Sequence, residues 1–392
     1  MSKLAPIPLS VPNISGNAWK YVKECLDTGW VSAAGKYVET FEQKICGYTK
    51  AEHAVAVSNG TVGLYISLQL CGVERGDEVV VPALTFIAPV NAVRYLGAEP
   101  VFMDCDDFMN LDPVKLEEFL RSGCKAGKGG VVNKRTGRRV KAILPVHIFG
   151  NPCDMAAIMR LARKYGLKVI EDATESLGSS YTAGPYKNKF TGTIGDFGVF
   201  SFNGNKIVTT GSGGMIVTNN KRMAEKAKYL TTQAKDDAVR YVHNEVGYNF
   251  RLTNLQAALG VAQIEKLSDF IRIKKANYFE YKKLLSGIEG ITLLGNPAGT
   301  EPNYWFYSII VDKNAYGSDR ERLMSGLDAA GIQSRPVWFL NHMQKPYLKN
   351  QAFKIEKAFW FWERVLNLPC STGLAKGGVA RVAGAIRSLG PK

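Results

Sequence analysis

The sequence predicts an α/β protein with a large domain, in which helices cover a mostly parallel sheet, and a smaller C-terminal α+β domain. In the first part, short apolar segments alternate with amphipathic helices, as in a parallel sheet that is buried on both faces. Near the C-terminus, an apolar strand at 304–311 and a helix at 320–330 lack this alternation. A chain of 392 residues also exceeds the usual domain size. We therefore predict an N-terminal arm and large domain over 1–264, and a small domain over 265–392.

The individual elements follow from apolar spacing and from the glycine, proline and small polar residues between them. After an extended, proline-containing arm over 1–16, we expect helices at 17–27, 38–48, 62–70, 88–95, 154–165, 221–229 and 251–267. We expect strands of the large domain at 54–57, 78–82, 99–104, 142–146, 168–172 and 215–218. In the small domain we expect helices at 273–285 and 320–330 and strands at 304–311 and 333–337.

The charge balance favours anionic partners. The formal net charge is +15, which suits a nucleotide, a phosphorylated cofactor or nucleic acid. Much of the local excess lies between residues 121 and 141, at Lys125, Lys128, Lys134, Arg135, Arg138 and Arg139. This segment has glycines but no aromatic residue, so an exposed loop or hairpin is preferred to a base-stacking surface.

Cysteine and histidine usage indicates neither disulfides nor a metal. The seven cysteines form no C-x-x-C pair, and none of the four histidines has metal-ligand spacing with another. No segment reaches the roughly 18 apolar residues of a membrane helix, and the first ten residues do not form a signal peptide. We expect a cytoplasmic protein with free thiols and without a metal or a membrane anchor.

Lys206 is the candidate for covalent chemistry. A lysine in water is a hydrated cation with a pKa of about 10.4, and it becomes a nucleophile only where burial or a neighbour favours its neutral form. Apolar residues supply such surroundings; they are Val199, Phe200, Phe202, Ile207 and Val208. A solvated turn lysine is the alternative that this stretch alone leaves open.

A polar turn, Ser58-Asn59-Gly60-Thr61, joins the strand at 54–57 to the helix at 62–70. Such a turn directs free backbone N–H groups and the positive end of the helix dipole at an anion. Because it lacks the Walker pattern G-x-x-x-x-G-K, a single cofactor phosphate fits it better than a nucleoside triphosphate. A helix cap without a ligand is the alternative.

Thr85, Asp172 and Ser201 also fall beyond strands, where open α/β sheets bind ligands. If Lys206 forms an imine with pyridoxal phosphate, three further parts are required: a carboxylate at the ring nitrogen, an anion site for the phosphate and an aromatic ring over one face. The candidates for these parts are Asp172, then Gly60, Thr61 and Ser201, and then Phe86.

Seven segments together resemble the DegT/DnrJ/EryC1/StrS family of sugar aminotransferases in order, spacing and residue type. They are Gly29-Trp30-Val31-Ser32, Ser58-Asn59-Gly60-Thr61, Val81-Pro82-Ala83-Leu84-Thr85-Phe86, Pro145-Val146-His147-Ile148-Phe149-Gly150, Glu171-Asp172-Ala173, Phe200-Ser201-Phe202 with Lys206, and Gly247-Tyr248-Asn249-Phe250-Arg251. The resemblance spans nearly the whole chain and implies a fold type I pyridoxal phosphate-dependent aminotransferase. Within the family, the segments 172–178, 201–206 and 340–347 look most like LegC-type members, which resemble UDP-N-acetylbacillosamine transaminases.

The resemblance also implies roles for individual residues. Lys206 carries the internal aldimine, Asp172 pairs with the pyridine nitrogen, and Phe86 stacks on the ring. The implied phosphate contacts are Gly60, Thr61, Val62 and Ser201, together with Asn249 reaching the site of the other subunit in a homodimer with shared active sites. Many relatives have glutamine or histidine three residues after the aspartate, at the cofactor's ring hydroxyl, where this chain has Glu175. A carboxylate there would repel a phenolate unless the two share a proton.

The implied reaction moves the amino group of glutamate, through pyridoxamine phosphate, to the C4 keto carbon of a 4-keto-6-deoxy hexose. We expect this sugar to be UDP- or GDP-linked, to carry a 2-acetamido group and to lead to bacillosamine- or legionaminic-acid-type products. Lys206 separates the chain from the family's dehydratases, which have histidine at that position, and a transaminase also needs the lysine as a base.

Trp30, Ser32 and Arg251 are the candidates for the substrate site. Packing of Trp30 and an ion pair of Arg251 at a helix start are the alternatives for these two residues. For the protein as a whole, a pyridoxal phosphate-dependent dehydratase or lyase and a non-enzymatic nucleic-acid-binding module remain the alternative functions.

Overall fold

The backbone alternates between strands and helices through the large domain. The computed structural model describes residues 5–127 and 130–390. Its strands are β1 (His53–Val57), β2 (Glu78–Pro82), β3 (Glu99–Met103), β4 (Cys124–Gly127), β5 (Gly130–Asn133), β6 (Arg139–Ile143), β7 (Lys168–Asp172), β8 (Ser180–Tyr181), β9 (Phe197–Ser201), β10 (Gly214–Thr218), β11 (Ile291–Leu293), β12 (Thr300–Glu301), β13 (Tyr307–Val311), β14 (Arg335–Pro336), β15 (Ala352–Phe353) and β16 (Val365–Leu368). Its α-helices are α1 (Ala18–Asp27), α2 (Lys36–Thr49), α3 (Gly60–Leu70), α4 (Ile87–Tyr95), α5 (Pro113–Glu118), α6 (Met155–Tyr165), α7 (Lys221–Thr231), α8 (Asn254–Ile264), α9 (Leu267–Leu285), α10 (Lys313–Tyr316), α11 (Arg320–Ala329), α12 (Lys357–Arg364) and α13 (Gly378–Leu389).

The large sheet has the strand order β1-β10-β9-β7-β6-β2-β3-β15, and the hairpin β4-β5 joins it at β6. All pairs from β9 to β15 along this order are parallel, whereas β10 is antiparallel to both of its neighbours. Strands β2 and β10 are buried along their whole length, as expected where helices cover both faces. The mostly parallel sheet predicted from the sequence is confirmed.

Several strands end at one edge of this sheet and place polar residues there. Because β10 is antiparallel to both β1 and β9, strand β1 runs in the same direction as β9, β7 and β2. The chain positions at or just beyond these carboxyl ends are Ser58, Thr85, Asp172 and Ser201. They therefore meet at the edge where open α/β sheets bind ligands.

The C-terminal part has a separate antiparallel sheet with the order β11-β13-β16-β14. Its core includes Tyr281 from α9, Leu323 from α11 and Ile386 from α13. This arrangement agrees with the predicted α+β character, although β16, the central partner of β13 and β14, was not predicted.

The predicted boundary between residues 264 and 265 falls between α8 and α9. Chain segments cross this boundary in both directions. Strand β15 returns to pair with β3 in the large sheet, and Ile7 of the N-terminal arm bridges Ile332 in the C-terminal part. The division into two domains stays a prediction.

Two predicted elements have different bounds for local reasons. The helix predicted over 251–267 is the shorter α8, because Thr253 forms a capping box with Gln256 and so fixes the start. At its C-terminus, Glu265 still has right-handed helical φ and ψ, its side chain accepts a hydrogen bond from Asn17 at 2.9 Å, and the next helix, α9, begins at Leu267.

The strand predicted over 304–311 begins at Tyr307. Tyr304 has a left-handed φ of 55°, and the backbone N–H of Trp305 donates to the side chain of Asn303 at 2.9 Å. A residue in this conformation interrupts an extended strand, and it turns residues 303–306 towards the sheet edge described above.

Part of the basic segment at 121–141, for which an exposed loop or hairpin is predicted, forms the hairpin β4-β5. Lys125 is exposed on it, and Arg139 pairs with Asp77 at 2.8 Å. Lys128 lies outside the described residues. Among the described helices, none is both long and apolar enough to cross a bilayer.

Candidate active site

A cavity of about 320 Å³ opens at the carboxyl edge of the large sheet. Six of the predicted site residues line it: Gly60, Thr61, Phe86, Glu175, Ser201 and Lys206. The other polar and aromatic residues of its lining are Asn59, Thr174, Asn203, Asn205, Ser212, Trp305 and Trp338. The cavity has the size of a site for a cofactor or small ligand.

The turn after β1 contributes backbone donors to one wall. The Asn59 side chain accepts a hydrogen bond from the Val62 N–H at 3.0 Å and caps α3. This bond occupies the Val62 N–H, and Val62 does not line the cavity. Within the described part of the chain, no acceptor pairs with the N–H groups of Gly60 and Thr61. Such groups at a helix N-terminus bind phosphate.

Gly60 permits a close approach at this wall. A Cβ atom on Gly60 would lie 3.0 Å from Cγ2 of Thr174 and 3.2 Å from Cβ of Ser201. The helix N-terminus therefore converges with two hydroxyl-bearing side chains. Because phosphate accepts hydrogen bonds on all of its terminal oxygens, this wall fits a phosphate group.

Lys206 reaches the cavity from the turn after β9. Its side chain is only 13% exposed, and Nζ lies 3.6 Å from Oε1 of Glu175. On another side, Nζ lies 4.0 Å from the centre of the Trp305 ring. The solvated turn lysine that the sequence left open is therefore not what the structure has.

Glu175 is a buried carboxyl group next to this lysine. Burial raises the pKa of Glu175 to about 7, although the charge of Lys206 acts in the opposite direction. Its Oε2 accepts a hydrogen bond from the Phe149 N–H at 2.8 Å. The Asn303 side chain donates to the backbone carbonyl of Glu175 at 2.9 Å. Near neutral pH this carboxyl group can therefore either accept or donate a proton.

Asp172 ends β7 as a buried carboxylate and is not among the residues that line the cavity. Burial raises its pKa, against the opposing effects of hydrogen bonds from Thr174 and the charge of Lys206. The Thr174 N–H donates to Oδ1 of Asp172 at 3.0 Å. Among the described residues, no lysine, arginine or histidine nitrogen lies within 4 Å of this carboxylate. A cationic ring nitrogen would therefore supply the partner that Asp172 lacks.

The side chain of the neighbouring Glu171 points into the fold, and both of its carboxylate oxygens accept hydrogen bonds. Its two oxygens accept hydrogen bonds from the N–H groups of Gly192, Ile194 and Gly195 at 2.6–2.9 Å. The buried His147 lies 3.0 Å from the same carboxylate through Nε2. Of the two adjacent carboxylates, Asp172 is thus the one that remains for a ligand.

Two aromatic side chains form the outer wall. Phe86 is 52% exposed although it is large and apolar, and its ring centre lies 6.3 Å from that of Trp338. Trp338 in turn packs on Phe149 at 4.7 Å. An exposed ring held at a cavity mouth is suited to covering a planar ligand.

Asn249 and Arg251 lie outside the lining of this cavity. They lie two residues apart in sequence at the surface, where Arg251 Nε donates a hydrogen bond to Oδ1 of Asn249 at 3.1 Å. The Ser58 N–H donates to the carbonyl of Phe250 between them at 2.8 Å, so the pair is adjacent to the turn after β1. Their roles towards a second subunit or a substrate stay predictions.

Trp30 and Ser32 are also absent from the lining. Both backbone carbonyls accept hydrogen bonds from Asn254, at 2.7 Å and 2.6 Å. Trp30 is exposed and borders a separate cavity of about 410 Å³ beside Tyr37. The structure brings neither residue to Lys206 within one chain.

Trp305 and Trp338 are the main residues that sequence reasoning missed. The strand predicted over 304–311 includes Trp305, because an aromatic run resembles a buried strand, and no predicted element or site includes Trp338. The signal that could have found Trp305 is the turn-forming pair Pro302-Asn303 two residues before it, which favours a turn over the start of a strand.

The residues present fit pyridoxal phosphate. Phosphate would be held by the N–H groups of Gly60 and Thr61 with Ser201, the ring nitrogen by Asp172, and the aldehyde by Lys206. This fit rests on three observations: the close approach at Gly60, the buried carboxylate of Asp172 with no cationic side chain beside it among the described residues, and the partly buried lysine.

Comparisons with known proteins identify the family of the chain. The model of the DegT/DnrJ/EryC1/StrS aminotransferase family matches residues 12–387. The GDP-perosamine synthase of Caulobacter vibrioides is 38% identical over 390 residues, which cover 98% of this chain and 99% of that protein. The GDP-perosamine synthase of Escherichia coli O157:H7 is 37% identical, and the alignment covers 98% of each chain.

Among solved structures, DesI in the presence of its TDP-sugar product superimposes with a TM-score of 0.86 at 26% identity. The match covers 98% of this chain and 93% of DesI. The predicted fold type I architecture is confirmed by this likeness. The chain belongs to the DegT/DnrJ/EryC1/StrS aminotransferase family and is a pyridoxal phosphate-dependent sugar aminotransferase.

Proposed function

We propose that this enzyme moves the amino group of glutamate to the C4 keto carbon of a nucleotide-linked 4-keto-6-deoxy hexose. The observation that carries the proposal is the grouping of Lys206, Glu175 and the N-terminus of α3 around one cavity, with the buried carboxylate of Asp172 close enough to Lys206 to feel its charge.

When bound, pyridoxal phosphate supplies an aldehyde that captures amino groups and a ring that withdraws electrons. Lys206 would hold the aldehyde carbon, and its Nζ would move a proton to and from the substrate carbon. Asp172 keeps the proton on the ring nitrogen, and Phe86 covers one ring face. Glu175, with a pKa of about 7, shares a proton with the ring hydroxyl and so avoids the repulsion expected between two anions.

The proposal also concerns the identity of the nucleotide and of the sugar in the acceptor. The names of the two relatives support a GDP-linked sugar, whereas the LegC-type resemblance supports a UDP-linked sugar with a 2-acetamido group. The net charge of +15 suits either diphosphate. We therefore retain UDP-linked 2-acetamido and GDP-linked 4-keto-6-deoxy hexoses as the two acceptors to compare. Bacillosamine- or legionaminic-acid-type products and the cytoplasmic location stay predictions.

A homodimer would complete the site. Among the residues that line the cavity in the described part of the chain, Lys206 is the single lysine or arginine. Glutamate carries two carboxylates and the sugar carries a diphosphate, so further cations are required. In the proposed dimer, Asn249 and Arg251 reach across to the other subunit from their place beside the turn after β1. Trp30 and Ser32 border the bound substrate.

The experiment that tests the proposal combines absorbance with mass spectrometry. Purified protein with pyridoxal phosphate should show a band at the blue edge of the visible spectrum that glutamate bleaches. Lys206→Ala should lose this band and lower the rate by about 10³-fold or more. Glutamate labelled with heavy nitrogen, offered with the two acceptors, should place its label in one sugar product.

Two outcomes would contradict the proposal. If the absorbance band persists in Lys206→Ala after borohydride treatment, Lys206 is not the residue that holds the aldehyde. A sugar product that lacks the labelled nitrogen indicates the dehydratase or lyase alternative.

A further inference from the structure

Lys274 is a buried lysine with no acidic partner in the described part of the chain. It lies on α9 and is 4% exposed. None of the ion pairs found within 4 Å among the described residues includes it, and burial lowers its pKa. A buried ammonium group is costly unless hydrogen bonds replace its water. Nζ of Lys274 therefore needs hydrogen-bond acceptors within the fold.

Two backbone carbonyls provide that contact. Nζ of Lys274 donates hydrogen bonds to the carbonyl oxygen of Cys370 at 2.6 Å and to that of Trp305 at 3.1 Å. The Cys370 N–H in turn donates to the carbonyl of Leu9 at 2.8 Å. Lys274 therefore joins helix α9 to two separate segments, one of which carries Trp305.

Trp305 extends this connection to the active site. Its indole Nε1–H donates to the carbonyl oxygen of Asn205 at 2.8 Å. Its ring centre lies 4.0 Å from Nζ of Lys206, the next residue. One buried side chain thus holds the backbone before the reactive lysine and also covers the reactive nitrogen.

We propose that Lys274 is a positioning residue for Lys206 that acts through Trp305. By holding the carbonyls of Trp305 and Cys370, it keeps the indole ring against Nζ of Lys206. This inference rests on the function proposed above for Lys206. An aromatic face stabilises a nearby cation, so the indole ring is part of the immediate environment of Nζ of Lys206. The other ionisable groups that face this nitrogen are Glu175, at 3.6 Å, and Asp172.

The test is the pH midpoint of the visible absorbance band of the protein loaded with pyridoxal phosphate. Trp305→Leu removes the indole face and should lower the midpoint by about one pH unit. Lys274→Met keeps the chain length but removes the donors, and it should lower the midpoint by about half a unit. Lys283→Met alters an exposed lysine of the same helix and should leave the midpoint unchanged.

A merely structural role would lower the melting temperature of Lys274→Met without moving this midpoint, and that result overturns the proposal. An unchanged midpoint in Trp305→Leu overturns it as well. If Lys274→Met does not fold, Lys274→Gln replaces it, since its shorter amide reaches at most one of the two carbonyls. A downward shift then supports the proposal, whereas an unchanged midpoint or an insoluble protein overturns it. A band that survives in Lys206→Ala would instead refute the function itself, so the two failures are distinguishable.

Discussion

Glu175→Gln tests the electrostatics of the site in the cofactor-free protein. The fold raises the pKa of Glu175 from 4.5 to about 7, so it stabilises the protonated carboxyl group relative to the unfolded chain. That stabilisation is fully present below pH 4.5 and is lost as the pH rises through 7. Integrating the two titrations between pH 5 and pH 8 gives a loss of about 2.5 kcal/mol. Glutamine has nearly the same shape, does not ionise and can still accept the Phe149 N–H bond.

The free energy of unfolding in urea, measured at several pH values, provides the assay. The difference between wild type and Glu175→Gln should fall by about 2.5 kcal/mol from pH 5 to pH 8. Glu289→Gln, which alters an exposed glutamate, should follow the wild type within about 0.5 kcal/mol. Parallel pH profiles for wild type and Glu175→Gln would refute the raised pKa, and with it the proton sharing proposed for this residue.

Three further substitutions test the cofactor site. Gly60→Ala adds a Cβ atom 3.0 Å from Thr174 and 3.2 Å from Ser201, which should weaken pyridoxal phosphate binding about tenfold in a cofactor titration. An unaltered affinity would show that the turn at 58–61 does not bind the phosphate. Phe86→Ala removes a half-exposed ring, so thermal unfolding should hardly change while cofactor affinity falls about fivefold; a large loss of stability with normal affinity would make Phe86 a packing residue. Asn59→Ala removes the cap of α3 and should cost about 1 kcal/mol in urea unfolding, and no change would show that the cap contributes nothing.

The sequence alone established the parts of this protein that depend on neighbours along the chain. Apolar runs between turn residues located most strands of the large sheet, and their ends placed Ser58 and Asp172 at one edge, because parallel strands share a direction; the strand that ends at Ser201 was not among those predicted. The turn at 58–61 was identifiable from its small polar residues before a helix. The pattern of motifs also identified the family.

The tertiary structure decided what depends on residues far apart in sequence. Trp305 and Asn205, which share a hydrogen bond, are 100 residues apart in sequence. The left-handed backbone of Tyr304 interrupts the predicted strand, and the indole ring of Trp305 lies over Lys206 as a result. The sequence indicated that a carboxylate at Glu175 would repel the cofactor's ring hydroxyl. Burial by segments distant in sequence is what raises the pKa of this carboxyl group. Lys274 gave no signal in the sequence, since a lysine on an amphipathic helix is normally solvated. Burial and hydrogen bonding of single side chains arise from packing between elements, and apolar periodicity does not encode them.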